Sequence, residues 1–347
     1  MAATVPAPDP RRPEPIPLRA LTVLLKYELM ISDPRYTKFR LVNTSLAQPG
    51  LVSGNPHVFA NDAPSVTRRS LHTFLELAAV PSPGNPHPAT TCELHPAAPV
   101  GVQRLSAADR ELIYQETRNH DACYKAIGLF QFFLDLCPPG QQLMYQSGNQ
   151  QPILLNPQAR RVFVYEVHQP RHHTRSYLLK SNPRPGEGPL SPVTGSRSPE
   201  DHCVMAFLRP GPQRPDPNHP RSYYVVDMTR MQYGKEALGP WGETYLIGTT
   251  RMFEDSMKSV CGHLQLARMD QTLLGGPDHV KVRLKACAAR AFQRWQKREH
   301  AGWCEHCGMG GPSLFRCTGC RTARIYYCGK EHQEAGWRLH KLHCQRQ

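Results

Sequence analysis

Eight potential metal ligands near the C-terminal end fall into one regular pattern: Cys304-x2-Cys307-x9-Cys317-x2-Cys320-x7-Cys328-x3-His332-x7-His340-x3-Cys344. A two-residue gap on a tight turn lets both thiolates face one ion. A three-residue gap places two ligands one helical turn apart on the same face. Structural zinc is tetrahedral and takes thiolate sulfur and imidazole nitrogen in such paired spacings, so eight ligands suit two ions. Six of the twelve cysteines lie in this 41-residue stretch, all in pairable positions. A unit this short buries too little apolar surface to fold by itself, and metal has to supply the difference.

The residues between the ligands carry a resemblance as well. Cys317-Thr-Gly-Cys320, the Tyr326-Tyr327 pair before Cys328, His332-Gln333, Trp337 and His340-Lys341 make the segment similar to a MYND-type zinc finger. The resemblance implies two structural, cross-braced zinc ions: Cys304, Cys307, Cys328 and His332 on one, Cys317, Cys320, His340 and Cys344 on the other. Many members of that family have Cys where this chain has His332, and imidazole serves equally well. His343 is a spare ligand beside Cys344. The resemblance further implies a docking platform for proline-containing peptides of partner proteins, with Thr318, Gln333 and Trp337 as the contact residues. It covers about an eighth of the chain.

The rest of the chain has room for one large domain. Thirty-four prolines in 347 residues are about twice the usual ~5%. They concentrate in residues 1–17, read as a flexible arm, and in 81–99 and 183–220, read as loops. The expected organisation is that arm, an α+β domain over 18–277, a basic connecting helix over 278–300 and the finger over 304–344. No run of about 18 apolar residues suggests a membrane span. No apolar signal core is visible, and free thiols in metal spacing suit a reducing compartment, so an intracellular setting is expected.

Hydrophobic periodicity places helices over Leu18–Ile31, Ser70–Val80, 106–119 and 122–136, with Ser106 and Asp121 as caps. Residues 32–64 read as turns. After residue 150 the period shortens to that of strands, at Val162–Val167, Ser176–Leu179, Cys203–Leu208, Tyr223–Val226 and Thr244–Ile247. A helical half followed by an antiparallel sheet is an α+β arrangement. A basic helix over Asp278–Glu299 then leads into the finger.

The net charge of +14 is uneven: residues 279–347 hold 14 Lys/Arg against 4 Glu, a net of +10. A nucleic-acid footprint is one reading. A solvated helix face, with cations offsetting thiolate charge, is the other and is preferred. The finger lacks the recognition-helix layout that reads DNA bases, and no aromatic RNA-binding strand is visible.

One constellation outside the finger suggests catalysis. Cys123 opens a helix, where unpaired N–H groups favour the thiolate. His202 stands near the start of a strand and Asp227 at the end of the next. Cys, His and Asp in this order are similar to papain-like and transglutaminase-like folds, active or inactive. His172 and His173 are rival bases, read as part of a surface turn. No phosphate-binding loop or zinc-protease helix motif is present, and Asn119–Cys123 fails the spacing of a SET-domain methyltransferase. A zinc-binding interaction protein is the primary reading, a Cys123 enzyme the second and a nucleic-acid binder the third.

Overall fold

The run from Leu18 to Ile31 holds no glycine or proline, and it folds as one helix directly after a two-residue strand. The computed structural model describes residues 13–77, 90–148, 151–211, 215–273, 276–320, 324–342 and 344. The start of the arm, residues 81–89 and 212–214 of the proline-rich loops, and His343 lie outside them. Strand β1 (Ile16–Pro17) leads into α1 (Leu18–Ile31). The last residues of the expected arm are therefore structured: β1 pairs with a later strand and Glu14 pairs with Arg298. Helix α1 is buried at twelve of fourteen positions, Lys26 and Glu28 included. This is more than an amphipathic stripe.

Strand β2 (Phe39–Thr44), helix α2 (Gly50–Ser53) and strand β3 (Arg68–Glu76) follow. The helix expected over Ser70–Val80 is thus a strand as far as Glu76, and the turn-rich stretch before it contains one too. Next come α3 (Val100–Gln103), α4 (Ala107–Arg118) and α5 (Cys123–Asp135). Ser106 and Asp109 form the expected capping box on α4. Asp121 does not cap α5. It sits at φ +51°, and Ala122 holds the cap position without a side-chain bond.

The remaining strands of the domain are β4 (Leu143–Tyr145), β5 (Ile153–Leu155), β6 (Arg160–Pro170), β7 (His172–Leu179), β8 (Val193–Thr194), β9 (Glu200–Leu208), β10 (Tyr223–Asp227) and β11 (Leu246–Thr249). Helix α6 (Thr250–Met257), strand β12 (Cys261–Asp270) and helix α7 (Asp278–Gln296) complete it. The expected loop 183–220 therefore contains β8 and β9. Three sheets form, in the orders β1-β4-β5, β2-β3-β7-β8 and β11-β10-β9-β6-β12. The five-stranded sheet is antiparallel throughout. The pairings β1/β4 and β3/β7 are parallel, because long crossovers separate those partners.

Strands β6, β9 and β10 of the five-stranded sheet are covered on both faces, which explains why they read as nearly continuous apolar runs. Val164, Cys203, Met205, Phe207 and Val226 pack toward α1, α5 and α7. Phe163, Tyr165, Val204, Ala206 and Val225 pack toward Phe253 and Met257 of α6.

Between α4 and the four-stranded sheet lies a buried polar layer. His72 bonds Thr44 Oγ1 at 2.9 Å and Glu116 Oε2 at 3.2 Å. His172 bonds Ser70 Oγ and the Tyr233 carbonyl, each at 2.9 Å. His120 bonds Thr194 Oγ1 at 2.6 Å. On the opposite face of β7, His173 pairs with Asp62 and packs edge to face on Phe59. His172 and His173 are thus buried residues of β7 and not a surface turn.

Burial pulls the imidazoles of His120, His172 and His173 below their ordinary value. The folded rings stay neutral where the unfolded chain takes up protons, near pH 6.5. Their contribution is therefore complete above about pH 6.5 and is lost as the pH falls below it. With zinc held constant, the urea midpoint is expected to drop between about pH 7.5 and 5.5. His120→Asn should flatten the slope by up to about 1.4 kcal/mol per pH unit. An unchanged slope in both His120→Asn and His172→Asn would rule this layer out as the source.

Candidate metal centre

The finger is built from a strand pair, β13 (Phe315–Arg316) with β14 (Tyr326–Tyr327), followed by α8 (Lys330–His340). Cys304 and Cys307 sit on a turn closed by Gly308, whose N–H bonds the Cys304 carbonyl at 2.8 Å. Cys317 and Cys320 sit on a second turn after β13. Cys328 precedes α8, His332 lies in its first turn and His340 is its last residue. Among the described residues a small apolar cluster of Tyr327 with Met309, Leu314 and Ile325 fills the space around the cysteines.

Two groups of four donor atoms result: Cys304, Cys307, Cys328 and His332, and Cys317, Cys320, His340 and Cys344. The groups interleave along the chain and so cross-brace the finger. In the first, Cys307 and Cys328 sulfurs are 3.7 Å apart, and His332 Nδ1 lies 2.9 Å from Cys328 Sγ and 3.7 Å from Cys304 Sγ. In the second, Cys320 and Cys344 sulfurs are 3.7 Å apart, and His340 Nε2 lies 3.3 Å from both Cys317 and Cys320 Sγ. Tetrahedral zinc with bonds of ~2.3 Å to sulfur and ~2.05 Å to nitrogen requires edges of about 3.8 Å and about 3.6 Å. The donor sets fit two zinc ions. Four protein ligands at each leave no position for substrate, so the metal is structural.

The finger is seated on the α+β domain. Gly308 has φ +80°, and a Cβ there would stand 2.6 Å from Tyr27 Cβ and 2.7 Å from the Val23 carbonyl of α1. Arg294 of α7 donates to the Gly308 carbonyl and stacks over the Tyr27 ring at 4.9 Å. Glu305 faces Arg19 at 3.8 Å, and Trp303 packs against Trp295. Glu111 of α4 faces two finger histidines: it hydrogen-bonds His306 Nε2 at 3.0 Å and lies 3.3 Å from His332 Nε2. Burial would raise the Glu111 carboxyl, but the two imidazoles facing it outweigh burial and hold it below the usual carboxylate range. A cleft of about 350 Å³ opens beside the seat, lined by Arg19, Tyr145, Trp241, Met252, Ile325 and Leu339 among others. Neither Glu111 nor His306 carries a local sequence signal, since only the tertiary packing of α4 brings them to the metal.

Of the residues implied to bind peptide, Thr318 is exposed two residues after β13, between Cys317 and Cys320, and Gln333 and Trp337 are half-buried on α8. The Trp337 ring meets His340 edge to face at 5.6 Å. The sequence reading missed Phe315, which is 62% exposed on β13.

The other constellation divides across the sheet. His202 Nε2 bonds Asp227 Oδ2 at 3.0 Å, and its Nδ1 faces Gln232 Nε2 at 2.9 Å. Both ring nitrogens are thus engaged. His202 stacks on Phe253 on the α6 face. Cys123 packs on the opposite face among Ile127 and Phe130, with its thiol toward the Asp201 carbonyl at 3.9 Å. All three residues are buried. The structure brings His202 and Asp227 together and leaves Cys123 on the other side of β9.

Several cations of the basic α7 region face internal partners. Arg290 and Arg294 pair with Glu28 at 2.7 and 3.4 Å, and Arg298 pairs with Glu14.

Residues 304–344 match the family model of the MYND finger. A 43-residue stretch is 49% identical to human Egl nine homolog 1, covering 12% of this chain and 9% of that protein. The mouse Egl nine homolog 1 is likewise 49% identical over 43 residues, covering 12% and 10%. This chain therefore spans about a tenth of the length of the curated relatives it matches. No solved structure matches the chain.

Replacing one ligand tests the assignment. Cys317→Ser is expected to lower bound zinc from two equivalents to one and to open the finger to protease, while the α+β domain keeps its melting transition. Metal analysis of the unaltered protein giving fewer than two zincs would refute the assignment.

Proposed function

We propose that the MYND finger, a zinc-binding protein-interaction module, docks proline-containing linear motifs of partner proteins and that the α+β domain acts as its rigid support. The observation that carries this reading is the exposed surface beside the small sheet, where Phe315 and Thr318 face solvent. Strand β14 is bridged to Cys304 and paired with β13. Among the described residues β14 is the strand that pairs with β13, and Thr318 is exposed two residues beyond it. An extended peptide could add there as a further strand. Exposed Phe315 stands on β13, and Gln333 and Trp337 lie one turn apart on α8. Aromatic surface of this kind suits proline rings, whose fixed backbone keeps the ordering cost of binding low.

A supporting rather than catalytic role for the α+β domain is part of the same proposal. It draws on the engaged nitrogens of His202 and the burial of Cys123 behind the sheet. An intracellular setting is also proposed, because thiolates held for zinc favour reducing surroundings. No helix among the described residues is long and apolar enough to cross a membrane. Nucleic acid is not favoured as a partner, since cations of α7 are drawn into internal pairs.

Trp337→Ala and Phe315→Ser are each expected to weaken binding of a proline-rich peptide at least about tenfold, the scale of an interface hot spot, with two zincs retained. Titration calorimetry with metal analysis on the same samples reads both quantities. Loss of zinc in Trp337→Ala would instead make that ring part of the finger's core. Unchanged affinity in both variants would remove this face from consideration.

A further inference from the structure

We infer that Glu111, on α4 of the α+β domain, is the outer-sphere partner of the finger's first zinc, so that metal loading and docking of the finger are one linked equilibrium. The geometry fixes the roles of the two nitrogens of His332. Nδ1 lies among the sulfurs of its cluster, 2.9 Å from Cys328 and 3.7 Å from Cys304, and is therefore the ligand atom. Nε2 lies on the other side of the ring and stands 3.3 Å from Glu111 Oε2, so it carries the N–H toward that carboxylate. A carboxylate behind a ligand imidazole fixes its tautomer and ring orientation and strengthens it as a donor to the metal.

Here that carboxylate belongs to another part of the molecule. Its second oxygen accepts from His306, which lies between the ligands Cys304 and Cys307 of the same cluster. One carboxylate thus spans two finger imidazoles whose ring centroids are 4.7 Å apart. Glu111 is itself well held. The capping box anchors the start of α4, and Ile113 and Tyr114 are buried in the domain's core beyond it. An anchored carboxylate rewards a correctly placed His332, and a zinc-bound His332 rewards a correctly placed finger. Each event therefore favours the other by the same factor.

The test uses the full-length zinc-loaded protein and a chromophoric zinc chelator in excess. Glu111→Gln keeps the side chain's size and removes its charge. One of the two zincs should then leave about 10–100-fold faster, with the other at its original rate and the domain's melting transition in place. Combining Glu111→Gln with Cys317→Ser identifies the faster ion: the single remaining zinc should show the full acceleration. Wild-type release rates for both ions would reduce Glu111 to an ordinary ion pair and overturn the inference. Equal acceleration of both would assign the effect to general loosening and would also overturn it. Should Glu111→Gln fail to fold, hydrogen exchange on the unaltered protein decides. Chelation should raise exchange along α4, and unchanged α4 protection would count against the linkage.

Discussion

Burial of α1 on every side is the constraint from which the architecture follows. A helix enclosed in this way cannot leave its buried charges to water, and α1 buries two, Lys26 and Glu28. Lys26 donates to the carbonyls of Met228 and Thr244 at 3.1 and 2.6 Å. Glu28 accepts from Arg290 and Arg294 of α7. Unpaired, either charge would be costly in the interior. These bonds fix where the segment after β10 and where α7 must run. The same helix presents Val23 and Tyr27 to Gly308, so the finger rests on the domain's central helix. A finger with so small an apolar cluster of its own thereby gains a second support beside its metal.

Local information was legible in the sequence, and pairing information was not. The ligand spacing needed only short turns and one helix, and the donor atoms stand where that spacing placed them. Helix α1 ends where its apolar run ends, and α4 starts at the Ser106 cap. The α+β class followed from the change of period after residue 150. By contrast, β3 holds Ser70, His72 and Thr73, which read as part of a helix. Its strand state depends on β2 and β7, the latter some hundred residues away. Strand β12 went unread for a similar reason. Much of it is exposed on both faces, so its apolar pattern is weak, and long pairing with β6 makes it a strand. His172 and His173 sit in a polar, proline-flanked sequence and are buried because distant segments supply their bonding partners: Ser70 and the Tyr233 carbonyl for His172, and Asp62 for His173.

The fate of Cys123, His202 and Asp227 shows how strand parity decides chemistry. The hairpin that joins β9 to β10 sets Met205 opposite Val226. That register puts His202 and Asp227 on the α6 face and Cys203 on the α5 face. Cys123 opens α5, so it meets Cys203 and not the imidazole. Chain order alone carries no such information, since one residue along a strand reverses the side. On their own face, the pair is mutually adjusted: burial pulls His202 down, and the Asp227 charge outweighs it and raises the ring. Asp227 in turn is held below the ordinary carboxylate value despite its burial. A fully buried pair with Gln232 on the remaining nitrogen fixes geometry more than it adds stability.

The uneven charge of the chain has a related explanation. Most of the basic excess lies in α7 and beyond, the part that must join the finger to the domain. Arg290, Arg294 and Arg298 reach back from α7 and its end to Glu28 and Glu14, both from the N-terminal end of the chain. Arg294 also reaches forward to the Gly308 carbonyl, and Arg324 reaches from the finger to the Glu299 carbonyl. Arginine suits such work, because its planar fork serves several acceptors at once and its charge persists on burial. A cation engaged in this way is less available to a phosphate backbone. Counted as sequence, the excess resembles a nucleic-acid footprint, whereas in the fold much of it ties the first helix, the connecting helix and the metal-bound finger into one body.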